Sequence, residues 1–226
     1  MTEAEGKVTK LHKTRAHQLY RLADGSIVPG ASTIAKIGED TSKLRDWAFR
    51  MGHEGLDPDK LMIEAANIGS IAHFMLNCRF KGETPDLSDY SPNEVTAGTD
   101  IFNKFWKSWA SLKLTLVASE IELVSETYRY GGTLDTVGRN EEGLLVLVDW
   151  KSTPSIYVSH YKQIVAYEKL WDENMDETIT KRCIVRQGKK DKEDSEIRWI
   201  GSVEKYFNVF LAQLKLHQAI KALNQS

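Results

Sequence analysis

Asp135, Asp149 and Lys151 are the side chains whose types and spacing point most directly to chemistry. They stand in Tyr130-Gly-Gly-Thr-Leu-Asp135 and in Leu144-Leu-Val-Leu-Val-Asp149-Trp-Lys151. Alternate residues of a strand share a face, about 6.6 Å apart, so Asp149 and Lys151 point the same way as Leu145 and Leu147. The turn residues Asn140-Glu-Glu-Gly143 fold the strand of Asp135 back beside that of Asp149 and bring the two carboxylates together. At ~4 Å and an effective dielectric near 20 they repel by about 4 kcal/mol. A divalent cation offsets that repulsion, and hard oxygen ligands suit Mg²⁺ or Mn²⁺. Such an ion polarises a phosphoryl group and activates water, and a second can stabilise the leaving oxygen. Lys151 can then orient or deprotonate the water, or neutralise developing charge. The same D-x-K also fits a plain surface salt bridge.

Several other residues extend this set, each with an ordinary structural alternative. His73, in Gly69-Ser-Ile-Ala-His73, is an acceptable metal ligand or a packed core histidine. Gln163 and Tyr167 lie four apart and share one helix face. They can hold a phosphate and stack on a base, or serve as polar flank and core tyrosine. Ser152 and Thr153 can cap the helix that follows or touch a phosphate. Trp106 and Trp109 suit a core more than a strand-binding groove. Lys189, Lys190 and Lys192, interrupted by Asp191 and Glu193, form a hairpin tip that is either solvated or a DNA contact. No G-K-[ST] follows Gly131-Gly132 and no G-x-S-x-G is present, which removes a phosphate loop and a serine nucleophile elbow.

The elements that must position these groups follow from periodicity. Asp24-Gly25 between Gln18–Leu22 and Ser26–Val28 signals a hairpin. A short helix begins at Thr33 with Ser32 or Thr33 as cap, and a second holds Leu44 to Met51. Asp57-Pro58 opens a mostly buried helix to about Phe80 that carries His73. Residues 82–97 read as a loop, and 98–111 as a helix with a wide apolar face. The period then changes to strands over 114–124, 127–139 and 144–151. A helix over 157–171, strands over 178–186 and 196–200, and a last helix over 203–223 complete the chain. The expectation is a mixed α/β fold: a single domain over 1–226. It has a mainly helical part over 1–112, a sheet core over 113–201 and a final helix over 202–226.

Composition limits the function. The chain has 226 residues, 30 Lys+Arg against 32 Asp+Glu, 41% hydrophobic residues and two cysteines. Net charge −2 excludes a partner held by bulk positive charge and leaves room for a local nucleic-acid site. No apolar run approaches the ~18 residues of a membrane span. The first residues, MTEAEGKVTKLHKTR, lack an apolar signal segment, and Glu3 and Glu5 count against a mitochondrial presequence. Cys78 and Cys183 cannot build a four-cysteine cluster, and the expected compartment is a reducing cytoplasm.

The ordered set G-x-x-x-H, G-T-x-D, D-x-K, Q-x-x-x-Y resembles the PD-(D/E)XK nuclease superfamily in its RecB-like exonuclease branch. Val28-Pro-Gly-Ala-Ser-Thr-Ile-Ala and Leu44-Arg-Asp-Trp47 are also similar to phage nucleases and the mitochondrial genome maintenance exonucleases. The resemblance covers roughly 26–172. It implies a restriction-endonuclease-like core, with His73, Asp135, Asp149 and the Trp150 carbonyl as ligands of one or two Mg²⁺ or Mn²⁺ ions. Lys151 would be the catalytic lysine beside Asp135 and Asp149. Gln163, Tyr167 and Ser152 would contact substrate. Relatives often carry an acid on the preceding strand, where this chain has Glu120 and Glu122; the motif does not choose between them, and a structural role is the alternative for either. Leu134 replaces the proline of the superfamily's name. With two cysteines, no iron–sulfur cluster is expected. The implied activity is metal-dependent hydrolysis of DNA from single-stranded ends, in phage or bacterial replication, recombination or repair, alongside replication or recombination proteins and away from membranes. A structure-specific endonuclease and a catalytically silent DNA- or protein-binding module are the rivals.

Overall fold

The computed structural model describes residues 7–13, 18–188 and 195–224, so the lysine-rich tip at 189–192 lies outside the described residues. Its centre is a five-stranded mixed sheet in the order β5-β6-β7-β8-β9. β5 (Thr115–Ser125), β6 (Tyr130–Arg139) and β7 (Leu145–Lys151) form an antiparallel meander. α5 (Val158–Asn174) then crosses over so that β8 (Lys181–Gln187) runs parallel to β7, and β9 (Ser195–Trp199) closes the edge antiparallel to β8. α6 (Val203–Leu223) follows.

β7 shows why the sheet needs helices on both faces. Leu145 and Leu147 belong to a core shared with α1 (Ala31–Ala35), α5 and α6. Val146, Val148 and Trp150 belong to a second core with α3 (Pro58–Lys81) and α4 (Pro92–Leu112). A strand buried on both sides is read as a continuous apolar run, which is what Leu144 to Val148 is. The result is a mixed α/β sheet with helices on both faces, the restriction-endonuclease-like architecture implied by the motifs. No helix among the described residues is long and apolar enough to cross a membrane.

The amino-terminal half supplies covers for this sheet. β2 (Tyr20–Arg21) and β3 (Ile27–Val28) form the expected hairpin, with Tyr20 opposite Val28. α2 (Ser42–His53) has no buried residue. α3 starts as expected: the Asp57 carboxylate accepts from the backbone N–H groups of Asp59 and Lys60, with Pro58 at the first helical position.

Three sequence expectations are corrected. α1 begins at Ala31, with Gly30 at the cap position in an extended conformation, so neither Ser32 nor Thr33 caps it. Residues 82–97 are not a loop. They hold β4 (Thr84–Asp86), which pairs in parallel with β1 (Val8–Lys10), and the first turn of α4. Ser91 and Glu94 close a reciprocal capping box there, with Pro92 just inside the start. Finally, Ser152 and Thr153 do not cap α5. Its N-cap is Tyr157, and the Thr153 hydroxyl donates to the Ser155 carbonyl.

Candidate metal centre

The site forms where three neighbouring strands meet α3. The β5–β6 register runs through Ser119 opposite Thr136 and Ile121 opposite Leu134, which places Glu120 across from Asp135. The β6–β7 ladder ends at Thr136 and Val148, one step short of the two aspartates. Beyond it, the Asp135 carboxylate takes over the ladder's role and accepts from the Trp150 backbone N–H at 2.8 Å. Asp135 thus stands where two strands begin to part, with its second oxygen turned towards α3.

His73 descends from α3 onto this gap. Its Nδ1 lies 3.7 Å from Asp135 Oδ1 and 3.8 Å from Glu120 Oε1. One ligand atom from each of His73, Glu120 and Asp135 falls within 4.8 Å of the others. Two ligands of one ion at ~2.1 Å sit at most about 4.2 Å apart, so both His73 separations suit a shared cation. The two carboxylates are donors that suit Mg²⁺ and Mn²⁺, and the imidazole is a common metal ligand beside them. Burial alone would depress the His73 pKa. The Asp135 and Glu120 carboxylates outweigh it and hold the imidazole above its ordinary value.

Glu120 reaches this position through an unusual backbone. Its φ is +50°, in the left-handed region that residues other than glycine seldom adopt. Such a conformation costs about 1–3 kcal/mol and persists only where its surroundings impose it. Asn77, one helical turn beyond His73 on α3, accepts a hydrogen bond from the Ser119 hydroxyl at 3.1 Å and ties β5 to α3 beside the strained residue.

Asp149 and Lys151 lie next to this cluster. Asp149 is fully buried, and the Lys151 ammonium sits 2.8 Å from Oδ1 and 2.7 Å from Oδ2. Only the Oδ1 contact has hydrogen-bonding geometry, which leaves Oδ2 a buried acceptor with no hydrogen-bond donor among the described residues. Burial pushes the Asp149 pKa up, Asp135 adds repulsion, and Lys151 pulls the other way. Asp135 is raised for the same first reason, against the fields of His73 and Lys151. Burial would lower Lys151, but Asp149 and Asp135 outweigh it and keep the ammonium charged.

Close packing explains the glycines of the motifs. A Cβ on Gly69 would lie 2.8 Å from the Ser152 hydroxyl, so the loop after β7 can press against α3 only because Gly69 has no side chain. A Cβ on Gly132 would meet the Tyr167 ring at 2.6 Å, and one on Gly131 the Tyr20 side chain at 2.4 Å. Tyr167 is thereby drawn towards the aspartates, and Gln163 donates to its hydroxyl at 2.6 Å. The Tyr20 hydroxyl shares a 3.0 Å hydrogen bond with Thr133. A cleft of about 780 Å³ opens over the cluster, lined among others by His73, Asn77, Glu120, Asp135, Ser152 and Tyr167.

The structure therefore gathers His73, Asp135, Ser152 and Tyr167 at one cleft, with Asp149, Lys151 and Gln163 in contact behind it. It chooses Glu120 over Glu122, which is exposed and pairs with Thr133 in the sheet. The three-residue cluster includes Glu120 and leaves Asp149 to Lys151. Trp150 contributes its N–H, while its ring turns into the opposite core, where the indole donates to Thr136. Asn77 and Tyr20 are additions that no motif announced.

No family model matches the chain, and no curated protein matches it. Solved structures do overlap with it. One is a provisionally named exonuclease from Eubacterium rectale, 11% identical over 69% of this chain and 65% of that chain, with a TM-score of 0.45. Another is the protein SSO0001, 16% identical over 57% of this chain and 63% of that chain, with a TM-score of 0.34. In each case the overlap spans less than two-thirds of the other chain's length.

Proposed function

We propose that the chain is a Mg²⁺- or Mn²⁺-dependent deoxyribonuclease of the PD-(D/E)XK type and RecB-like branch. In this reading it is an exonuclease that prefers single-stranded ends and serves phage or bacterial replication, recombination or repair. The observation that carries it is the convergence of His73, Glu120 and Asp135 on one point of a cleft, beside a buried Asp149–Lys151 pair.

His73, Glu120 and Asp135 would hold the cation, with Asp149 and the Trp150 carbonyl completing its surroundings. When bound, the cation would supply positive charge against a phosphodiester oxygen and make nearby water more acidic. Water adds to phosphorus, the bond to the leaving oxygen breaks, and that oxygen takes up a proton, with no covalent link to the protein. Lys151, held by Asp149, neutralises charge that grows on the phosphoryl oxygens. Gln163 fixes the Tyr167 hydroxyl at the cleft wall, and Ser152 lines the same wall for a phosphate. Asn77 keeps Glu120 turned inward. The whole of 1–226 acts as one nuclease domain in this reading.

Incubation with a labelled linear single strand and Mn²⁺, with Asp149→Ala and Lys151→Ala alongside, tests it. Shortening of the strand by the intact protein, lost in both variants, is the expected result. An intact strand across a range of pH overturns the enzymatic reading. Cutting of circular single-stranded DNA would convert it to an endonuclease.

A further inference from the structure

We propose that a second groove, running along α3 away from the metal centre, binds the part of a single nucleic-acid strand that lies beyond the cleaved bond. This rests on the nuclease reading for the identity of its ligand. The groove has a volume of about 830 Å³ and shares Leu11 and Ser70 with the cleft over the metal cluster. The two spaces therefore adjoin. On α3 the shared wall is one stripe at helical spacing: Lys60, Ile63, Asn67 and Ser70 in the groove, then His73 and Asn77 in the cleft. At 1.5 Å per residue, Lys60 lies about 20 Å from His73 along the axis, a span that holds several nucleotides.

The opposite wall is built by the chain after β1 and by the start of α4. Leu11 donates its N–H to the Asp86 carbonyl, which continues the β1–β4 pairing and sets His12 and Lys13 over the groove. Lys13 lies 5.1 Å from the centre of the Tyr90 ring. The chemistry of the lining fits one strand of nucleic acid. Lys60 is 84% exposed, and its ion contact with Asp57, at 3.9 Å, is too solvated to hold it away from a phosphate. Tyr90 offers a ring on which a base can stack, a contact that works for any sequence. Asn93 adds an amide able to donate to a phosphate or base edge.

The acids of the groove do not oppose this. Both oxygens of Glu94 are occupied, Oε1 by Asn67 and Oε2 by Lys13 and the Ser91 N–H and hydroxyl. Glu64 is the exposed acid among the lining residues. Lys13 is paired with Glu94, which leaves Lys60 facing Glu64, so the groove has too little charge to grip a duplex through its phosphates alone. Stacking plus a few phosphate contacts is the mode of a single-strand site.

The test is fluorescence anisotropy of a labelled single strand about 12 nucleotides long, a length in the range of known single-strand sites. It is bound to the full chain in Ca²⁺, with gel analysis to show that the strand stays whole. Lys60→Glu and Tyr90→Leu are compared with the unaltered protein, and melting curves verify that both are folded. The expected result is at least about 5-fold weaker binding for each, with the Lys60→Glu salt dependence shallower by about one ion. Equal affinity in Lys60→Glu and the unaltered protein, or no binding by the unaltered protein, overturns the groove. Hydrolysis of bis(4-nitrophenyl) phosphate in Mn²⁺, a substrate too small to reach Lys60, is followed in parallel. It should be unchanged in Lys60→Glu. If the unaltered protein fails to hydrolyse it, the nuclease reading fails, while the anisotropy still decides whether the groove binds a strand.

Discussion

Glu120 carries the sharpest lesson at the scale of single residues. Its position across from Asp135 depends on where the β5–β6 turn falls, and that turn occupies residues 126–129 between Ser125 and Tyr130. Reading the second strand as starting at Thr127 shifts the pairing and hides the match, which is why Glu120 and Glu122 could not be separated by sequence. Its left-handed φ is equally invisible, because nothing in a glutamate's identity signals it. Strand spacing and the turn at 140–143 suggested that Asp135, Asp149 and Lys151 meet, but only the ordered set of motifs and its family resemblance separated them from a salt bridge, and His73 from a packed core histidine. Two predictions belong here. Asn77→Ala removes the tie to Ser119 and should weaken Mn²⁺ binding about 10-fold by calorimetry, the usual effect of losing a group that orients a ligand. An unchanged affinity would show that Glu120 needs no such tie. Lys151→Ala should slow DNA hydrolysis by about 10²–10³ without weakening Mn²⁺ binding, since it removes charge stabilisation and no ligand.

At the scale of elements, the site depends on how closely α3, α5 and the hairpin can approach the sheet. Gly132→Ala would push a methyl group into the Tyr167 ring, which lies 2.6 Å from the position of that carbon. Overpacking of this kind costs about 1–3 kcal/mol, readable as a lower urea midpoint. A midpoint equal to that of the parent would mean the ring has room to move. The capping box of α4 is the other such joint. Burial would raise the Glu94 carboxyl, but bonds from Asn67, Ser91 and Lys13 hold it down to about 2 against an ordinary 4.5. A depressed carboxylate stabilises the fold above its ordinary value and loses that contribution as pH falls towards the folded value. Melting temperatures should therefore fall between about pH 5 and 2, and the gap between the parent and Glu94→Gln should narrow over the same interval. A gap independent of pH would contradict this. Ser91-Pro92-Asn93-Glu94 has the pattern of a helix start, yet Pro85, Pro92 and the surrounding polar residues gave the stretch the composition of a loop. The β1–β4 pairing was beyond sequence reading, since strands of three residues carry too little periodicity.

At the scale of the whole molecule, α3 joins two halves with different tasks. The sheet supplies carboxylates and a lysine, and the amino-terminal half supplies the imidazole that covers them. The three-stranded meander, the helix after it and the two further strands were readable from turn residues and the change of period, whereas the order β5-β6-β7-β8-β9 was not. The placement of helices around the cleft was not readable either, because it depends on contacts such as Gly69 against Ser152 that lie far apart in the chain. A cation bound only by the folded state should stabilise both halves together. At a concentration 100 times its dissociation constant it adds about 2.7 kcal/mol, which for a chain of this size raises the melting temperature by about 5–10 °C. Chelation with EDTA should reverse the rise, and Asp135→Asn should abolish it. An equal rise in Asp135→Asn would place the cation elsewhere. The most direct measurement is the anomalous scattering of a crystal soaked in Mn²⁺. A peak within about 2.3 Å of a His73 ring nitrogen and of oxygens of Glu120 and Asp135 is expected. Saturating Mn²⁺ with no peak between those three side chains would contradict a cation site there.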